Sequence, residues 1–277
     1  MTHLQRSKTL RWLCTLATAA ALVIVLFPVY AVIVGSFEST QTLFSGTYYW
    51  LPHGATLDNY RTVIQAQSGH VLTSLIVGVG TAVLALIVAA PAAYALAKYR
   101  LRVTVILVSS LLVCQIVPSI VLATSLFIVF HWTHLVNSYP GLIIADGTYA
   151  IPFAILVLRA FFFSLPNEVM QAARVDGASE WQTFHRIVVP LARSAVITVA
   201  VFAFLNGWGD FIFALTILSG SGIEPITLGI YTYLGNYSTD WGAVMASGVF
   251  AMVPAGVMLV AAQRYIASGL TAGSVVG

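Results

Sequence analysis

Two groups of residues carry polar chemistry in a chain otherwise built from apolar side chains. Charged residues make up 8% of the sequence, yet Glu168, Arg174, Asp176, Glu180, Arg186 and Arg193 fall in one segment, 168–193. Asp210 stands alone inside an apolar run, with Asn206 four residues before it and Trp208 between. A carboxylate and an amide at this spacing share one face of a helix, and together with a flat indole ring they can hold a polar solute. Other chemistry is poorly represented. There is no HExxH metal motif, no serine–histidine constellation and no evident pair of intramembrane acids. The two lysines, Lys8 and Lys98, follow Ser7 and Ala97, so neither completes a phosphate-binding G-x-x-x-x-G-K-[ST] loop.

The elements that must position these residues are membrane spans. The sequence is 59% hydrophobic with a mean hydropathy of +0.93, whereas soluble domains are about 45–50% apolar. A helix needs about 20 apolar residues to cross roughly 30 Å of hydrocarbon. Six runs qualify: Trp12–Gly35, about Val71–Ala97, Val103–Phe130, Gly141–Phe163, Ser194–Leu218 with Asp210 inside it, and Trp241–Gln263. With both termini cytoplasmic, eleven of the twelve lysines and arginines lie on the inner side and only Arg61 lies outside. The net charge of +3 is scattered singly, without the basic patch that nucleic acid requires. Arg6, Lys8 and Arg11 resemble a basic leader, but the run that follows is longer than a leader's and lacks a small-x-small site, so the first span is expected to stay. Cys14 and Cys114 fall inside spans as small hydrophobes.

Between the fourth and fifth runs the pattern predicts a helix-turn-helix elbow. Val169, Ala172 and Ala173 share one face of a short helix that Asp176 and Gly177 end, since glycine tolerates the positive φ of a helix C-cap. Ser179 and Gln182 fit a capping box that starts a second helix, carrying Trp181, Phe184, Ile187 and Val188 until Pro190 stops it. An apolar face beyond the bilayer needs either the headgroup surface or a partner's groove to cover it.

This segment resembles a known family. Gln171, Ala172, Ala173, Asp176, Gly177, Ala178, Ile187 and Pro190 match in spacing the EAA loop of ATP-binding-cassette importer permeases, and Pro166 with Glu168 resembles the lead-in of the sugar branch. Gln171 stands where that family usually has glutamate, and Val189 where it has leucine. The run GWGDFIFAL, 207–215, is similar to the fifth-span signature of the same branch, with Gly209 in place of asparagine. The chain's end, with Trp241, Gly242, Pro254, Gln263, Arg264 and Gly269-Leu270-Thr271, resembles the tail of maltose-system permeases, departing at Ser274 and Val276.

The resemblance implies an all-α, six-span type I importer permease fold. Its divisions would be a cytoplasmic N-terminus (1–11), a first span (12–35), an extracytoplasmic loop (36–69), a permease core (70–265) containing the coupling loop (166–190), and a cytoplasmic tail (266–277). It also implies no catalysis by this chain. Partners would be a second permease subunit in a heterodimer, two copies of a cytoplasmic ATPase that bind ATP and magnesium, an external solute-binding protein and membrane lipid. Gln171, Ala172, Ala173, Asp176, Gly177, Trp181, Phe184, Ile187 and Pro190 would couple to the ATPase, with Ala172 and Ala173 admitting its backbone and the three large apolar residues anchoring it. Asn206, Trp208 and Asp210 would line the solute pathway. An acid at the bilayer centre costs about 2.5–3.5 kcal/mol on insertion scales unless it meets protein or water, which is why Asp210 stands out; a place near the outer mouth, or a pairing with the second permease, would equally explain it. The solute class implied is a di- or oligosaccharide or derivative, with a polyol or glycerol phosphate-type compound as the alternative and an ion-coupled transporter as the other mechanism. Further expectations are that Asp146 and Arg159 anchor the ends of the fourth span, that His131 and His134 lie at the interface rather than on a metal, and that Tyr48, Tyr49, Trp50 and Trp132 form an outer aromatic belt. The outer loop, with Leu57, Asn59 and Tyr60, would either dock the binding protein or pack on the bundle.

Overall fold

The computed structural model describes residues 3–45, 50–99, 102–218, 220, 222–234 and 239–272, with side chains from Leu10 to Tyr265. The expectations for Tyr48, Tyr49, Arg100, Ser274 and Val276 lie outside the described residues, as do those for the side chains of Arg6, Lys8, Leu270 and Thr271. Helices follow one another as α1 (His3–Ser36), α2 (Thr40–Phe44), α3 (Asp58–Lys98), α4 (Thr104–Cys114), α5 (Ser119–Trp132), α6 (Tyr139–Ser164), α7 (Asn167–Val175), α8 (Glu180–Thr183), a π-helical turn (Phe184–Val188), α9 (Val189–Leu191), α10 (Arg193–Trp208), α11 (Ile212–Ile217), α12 (Ile226–Tyr231) and α13 (Trp241–Ala272). Among the described residues four helices are long and apolar enough to cross a membrane, and two bent pairs bring the number to as many as six.

The third span departs from the single run expected. It is broken at Gln115–Pro118, and its halves α4 and α5 meet at 99°. Pro118 has no N–H to continue α4's ladder and stands instead as the N-cap of α5 with extended backbone. The stranded carbonyl of Val117 accepts a hydrogen bond from the Tyr149 hydroxyl on α6. Backbone polar groups in hydrocarbon must be satisfied within the protein, and this contact does that for the break. Pro28, Pro91, Pro152 and Pro254 lie inside helices that stay continuous.

The chain falls into two compact units. One comprises Met1–Ser68 and Ile230–Met252, and its core is Val63, Ala243 and Ala246, with Tyr60, Tyr233 and Phe250 packed around them. Asn59 donates to the carbonyls of Ser36 (3.0 Å) and Glu38 (2.8 Å), and the hydroxyls of Tyr60 and Ser36 are 2.6 Å apart. Asn59 and Tyr60 therefore fasten the start of α3 to the end of α1 and the residues just after it. Asp240 caps α13 by accepting from Ala243 N (3.1 Å) and receives the Thr40 hydroxyl at 2.5 Å.

The second unit, Gly69–Gly229 with Val253–Gly277, holds the polar residues of interest. Its helices approach closely through glycine. A Cβ on Gly207 of α10 would stand 2.8 Å from Thr81 Oγ1 and 3.2 Å from the Gly78 Cα of α3, and a Cβ on Gly78 would stand 2.9 Å from the Phe204 ring. Small residues at such crossings let backbones meet where no hydrophobic force drives helices together. Overpacking of this kind costs about 1–3 kcal/mol, so Gly207→Val should melt at lower temperature in detergent, whereas Gly256→Val, with open space around its Cα, should melt like the parent.

Candidate functional site: a helical elbow and a broken fifth span

The elbow is present, and its turn is built by backbone rules. Gly177 has φ +82°. Its N–H donates to Arg174 O (3.0 Å) and that of Ala178 to Ala173 O (2.9 Å), the paired bonds of a Schellman cap. Two residues later Ser179 Oγ accepts from Gln182 N (3.2 Å) while Gln182 Oε1 accepts from Ser179 N (2.8 Å), a complete capping box.

The second half of the elbow differs from the expected helix ended by Pro190. Helix continues through Pro190 to Leu191 and ends at Ala192, where it meets α10 at 81°. The accommodation lies one turn earlier. Val189 N bonds Phe184 O across five residues, and this wider π turn gives room for a ring that cannot donate and would otherwise press on the carbonyl four residues back.

The elbow's residues divide into two faces. Gln171, Ala172, Asp176, Gly177, Trp181 and Pro190 are exposed and Ile187 is half-buried. Trp181 is 64% exposed and Val175 88%. Ala173 and Phe184 are buried, which corrects their expected role as contacts for a partner. Phe184 stacks obliquely on Tyr94 of α3 at 5.2 Å, and Tyr94 meets Phe162 of α6 edge-on at 6.3 Å. Sequence reasoning missed Val175, although it lies three residues after Ala172 on the same helical face. It also missed Lys98, which reaches the Glu180 carboxylate from α3 and donates to the Tyr94 hydroxyl at 3.0 Å. No spacing rule links residues so far apart in the chain.

The fifth span corrects the expected solute face. α10 ends at Trp208, and α11 begins after Gly209–Phe211, so Asn206 and Asp210 do not share a continuous helix. Asp210 instead caps α11: Oδ1 accepts from Phe213 N (3.2 Å) and Oδ2 from Ala214 N (2.8 Å). Its carbonyl receives the Thr227 hydroxyl at 2.5 Å. At the far end of α11, Ile217 O accepts from Asn137 N at 3.0 Å. Trp208 is buried and stacked on Phe204, with centroids 5.7 Å apart and planes 19° from parallel, so its ring is closed to a solute in this conformation. Asn206 is exposed.

Asp146 is the polar group whose environment the sequence concealed. It is not an end anchor but is wholly buried in α6, and both carboxyl oxygens lack a hydrogen-bond partner among the described residues. Arg159 Nε donates to Leu96 O at 3.4 Å.

With this geometry established, comparison with known proteins decides the family. The family model described as "Binding-protein-dependent transport system inner membrane component" matches residues 82–272. The chain belongs to that family. This inner-membrane component is 30% identical to the sulfoquinovosyl glycerol transport system permease protein SmoH of Agrobacterium fabrum, over 95% of this chain and 93% of that protein. It is 32% identical to the trehalose transport system permease protein SugB of Mycobacterium tuberculosis, over 91% and 93%. A solved bacterial ABC transporter involved in importing the acidic polysaccharide alginate contains a chain of the same fold, with a TM-score of 0.78 and 20% identity over 96% of this chain and 99% of that one.

The capping geometry of Asp210 yields a direct test. Loss of an N-cap acceptor costs about 0.5–2 kcal/mol, so Asp210→Ala should lower the thermal stability of the purified permease by that amount, while Asp210→Asn, whose amide oxygen still accepts, should retain most of it.

Proposed function

We propose that this chain is one permease subunit of an ATP-driven, binding-protein-dependent importer for a di- or oligosaccharide or a derivative of one. The observation that carries the reading is the elbow: two rigidly capped short helices between the fourth and fifth spans, presenting Trp181 and Val175 to solvent. Exposed aromatic and β-branched side chains flanked by small residues suit a partner's groove. In the proposed assembly that groove belongs to a cytoplasmic ATPase, present in two copies, which binds ATP and magnesium. A second, different permease completes the translocation path, and an external binding protein delivers the solute. Both termini then face the cytoplasm, in keeping with the distribution of lysine and arginine. The sugar class rests on relatives whose names specify trehalose and sulfoquinovosyl glycerol.

The mechanism follows from the division of faces. Gln171, Ala172, Asp176, Trp181 and Ile187 meet the ATPase, and Val175 joins them. Gly177 sets the angle between the helices, while Ala173 and Phe184 hold the elbow against the spans. Nucleotide-driven closure of the ATPase moves the elbow, and the spans exchange between inward-open and outward-open arrangements as packed bodies.

Gly177 has open space about its Cα, so a larger residue there meets backbone strain rather than a clash. That strain is about 1–2 kcal/mol for an L-residue in the left-handed region, or roughly a tenfold shift in a conformational equilibrium. Gly177→Val should insert normally yet lower sugar uptake per ATP hydrolysed by about that factor; undiminished uptake would refute the lever role. The solute follows from a thermal-shift screen of neutral and substituted disaccharides against the cognate binding protein. Trp181→Cys should cross-link to the ATPase through a cysteine in its groove, and labelling of that cysteine only by lipid-phase reagents would refute the docking.

A further inference from the structure

The elbow is joined covalently to the spans at two bent places. Before it, Leu165 and Pro166 are extended, with ψ of 138° and 128°. After it, the chain turns by 81° at Ala192. Joints of this kind absorb rotation, because a force applied to α7–α9 can change φ and ψ there without moving α6 or α10. Stiff transmission needs a contact at the side.

That contact is made on α3, a helix to which the elbow has no adjacent covalent link. Glu180, in the first turn of α8, divides its two oxygens: Oε1 pairs with Arg174 of α7 at 3.2 Å and Oε2 with Lys98 of α3. One carboxylate therefore closes the elbow on itself and ties it to the last turn of the second span. The Lys98 side chain is only 9% exposed, although that of Glu180 is 49% exposed. Lys98 also donates to the Tyr94 hydroxyl at 3.0 Å, and the Tyr94 ring packs on Phe184 at 5.2 Å. The polar and aromatic contacts attach the second half of the elbow to one turn of α3, and Arg174 joins the first half to it through Glu180. An isolated, half-exposed ion pair adds little stability. Its use is geometric, because it fixes one registry between two elements.

We propose that Glu180 is a positioning residue that makes the elbow and the cytoplasmic end of α3 one rigid body, so that motion of the elbow enters the bundle through the second span. This rests on the elbow being the coupling element, and it adds which span receives the motion. Lys98 is the anchor on the receiving side, and Arg174 keeps the two elbow helices together around the same carboxylate.

The test uses the assembled transporter with Cys14 and Cys114 replaced by alanine and spin labels on the exposed positions Arg186→Cys and Ile87→Cys, neither of which is among the residues proposed to meet the ATPase. In the parent, the label distance between nucleotide-free and ATP–vanadate-trapped states should agree within about 2 Å, the scale of ordinary helix shifts. In Glu180→Lys the distance should change by more than that on trapping. The exchange Lys98→Glu with Glu180→Lys keeps the cluster's net charge and should restore the parent's constancy. A parent distance that itself changes on trapping, or a Glu180→Lys variant as constant as the parent, would overturn the proposal. A cysteine bridge between positions 98 and 180 gives a second readout that survives poor folding of the charge variant. Vanadate trapping should proceed unchanged with the bridge closed, and trapping abolished by the bridge and recovered on reduction would also overturn the proposal. The Trp181→Cys cross-link to the ATPase reports separately on docking. Its persistence in Glu180→Lys would show that the coupling element is engaged while the tie to α3 is cut.

Discussion

A helix that breaks inside hydrocarbon strands its terminal N–H and carbonyl groups, and each stranded group must find a partner within the protein. Both interrupted spans obey this constraint, one through a side chain from another helix and the other through its own capping residue and a backbone N–H from a neighbouring loop. At the break between α4 and α5 the Tyr149 hydroxyl meets the Val117 carbonyl. At the break between α10 and α11 the Asp210 carboxylate takes the N–H groups of Phe213 and Ala214, and the loop after α5 covers the carbonyl of Ile217. The breaks are thus built features. Two of these contacts also cross between elements, Tyr149 of α6 to the α4–α5 break and Asn137 of the loop after α5 to the end of α11.

The elbow, most of whose residues are exposed, solves a different problem. Its turn must be stiff although only a few residues long. Gly177 at φ +82° and the reciprocal Ser179–Gln182 bonds fix the angle locally. The π turn before Pro190 lets the second half continue to the fifth span without a stop. Aromatic packing of Phe184 on Tyr94 then seats the elbow on the span it lies beside. Local capping sets shape, and tertiary contact sets placement.

How much of this was legible in the sequence depended on the range of the interaction concerned. The Schellman turn and the capping box are contained within a few residues, and their residue types announce them. The spans follow from hydropathy alone. Proline was ambiguous: Pro28, Pro91, Pro152 and Pro254 are carried inside continuous helices, whereas Pro118 stands at a 99° bend. A partner such as Tyr149, remote in sequence, decides whether a break can be satisfied. Helical periodicity also misled at Asp210, since the i−4 relation to Asn206 assumes a ladder that Gly209 ends. Burial of Ala173 and Phe184 and the reach of Lys98 to Glu180 depend on how helices pack, which no single-segment pattern encodes.

The polar residues of the spans are occupied chiefly with holding the structure. Asp210 caps a helix, Trp208 fills the core against Phe204, and Asn59 and Tyr60 fasten the start of α3 to the end of α1. Side chains committed in this way cannot also reorganise around a solute without releasing backbone groups they satisfy, and an unpaired buried donor costs about 1–3 kcal/mol. On the proposed reading this argues for a division of labour. A chain whose charged residues are used for caps, breaks and the tie at Glu180 is suited to carrying motion through the membrane. Discrimination among solutes then falls to groups that can remain free until the solute arrives, in the external binding protein and in the second permease. Among the described acidic residues of the spans Asp146 differs, a buried carboxyl with neither oxygen engaged. Neither its carboxyl nor that of Asp210 carries positive charge, so the two residues offer an anionic solute no ion pair.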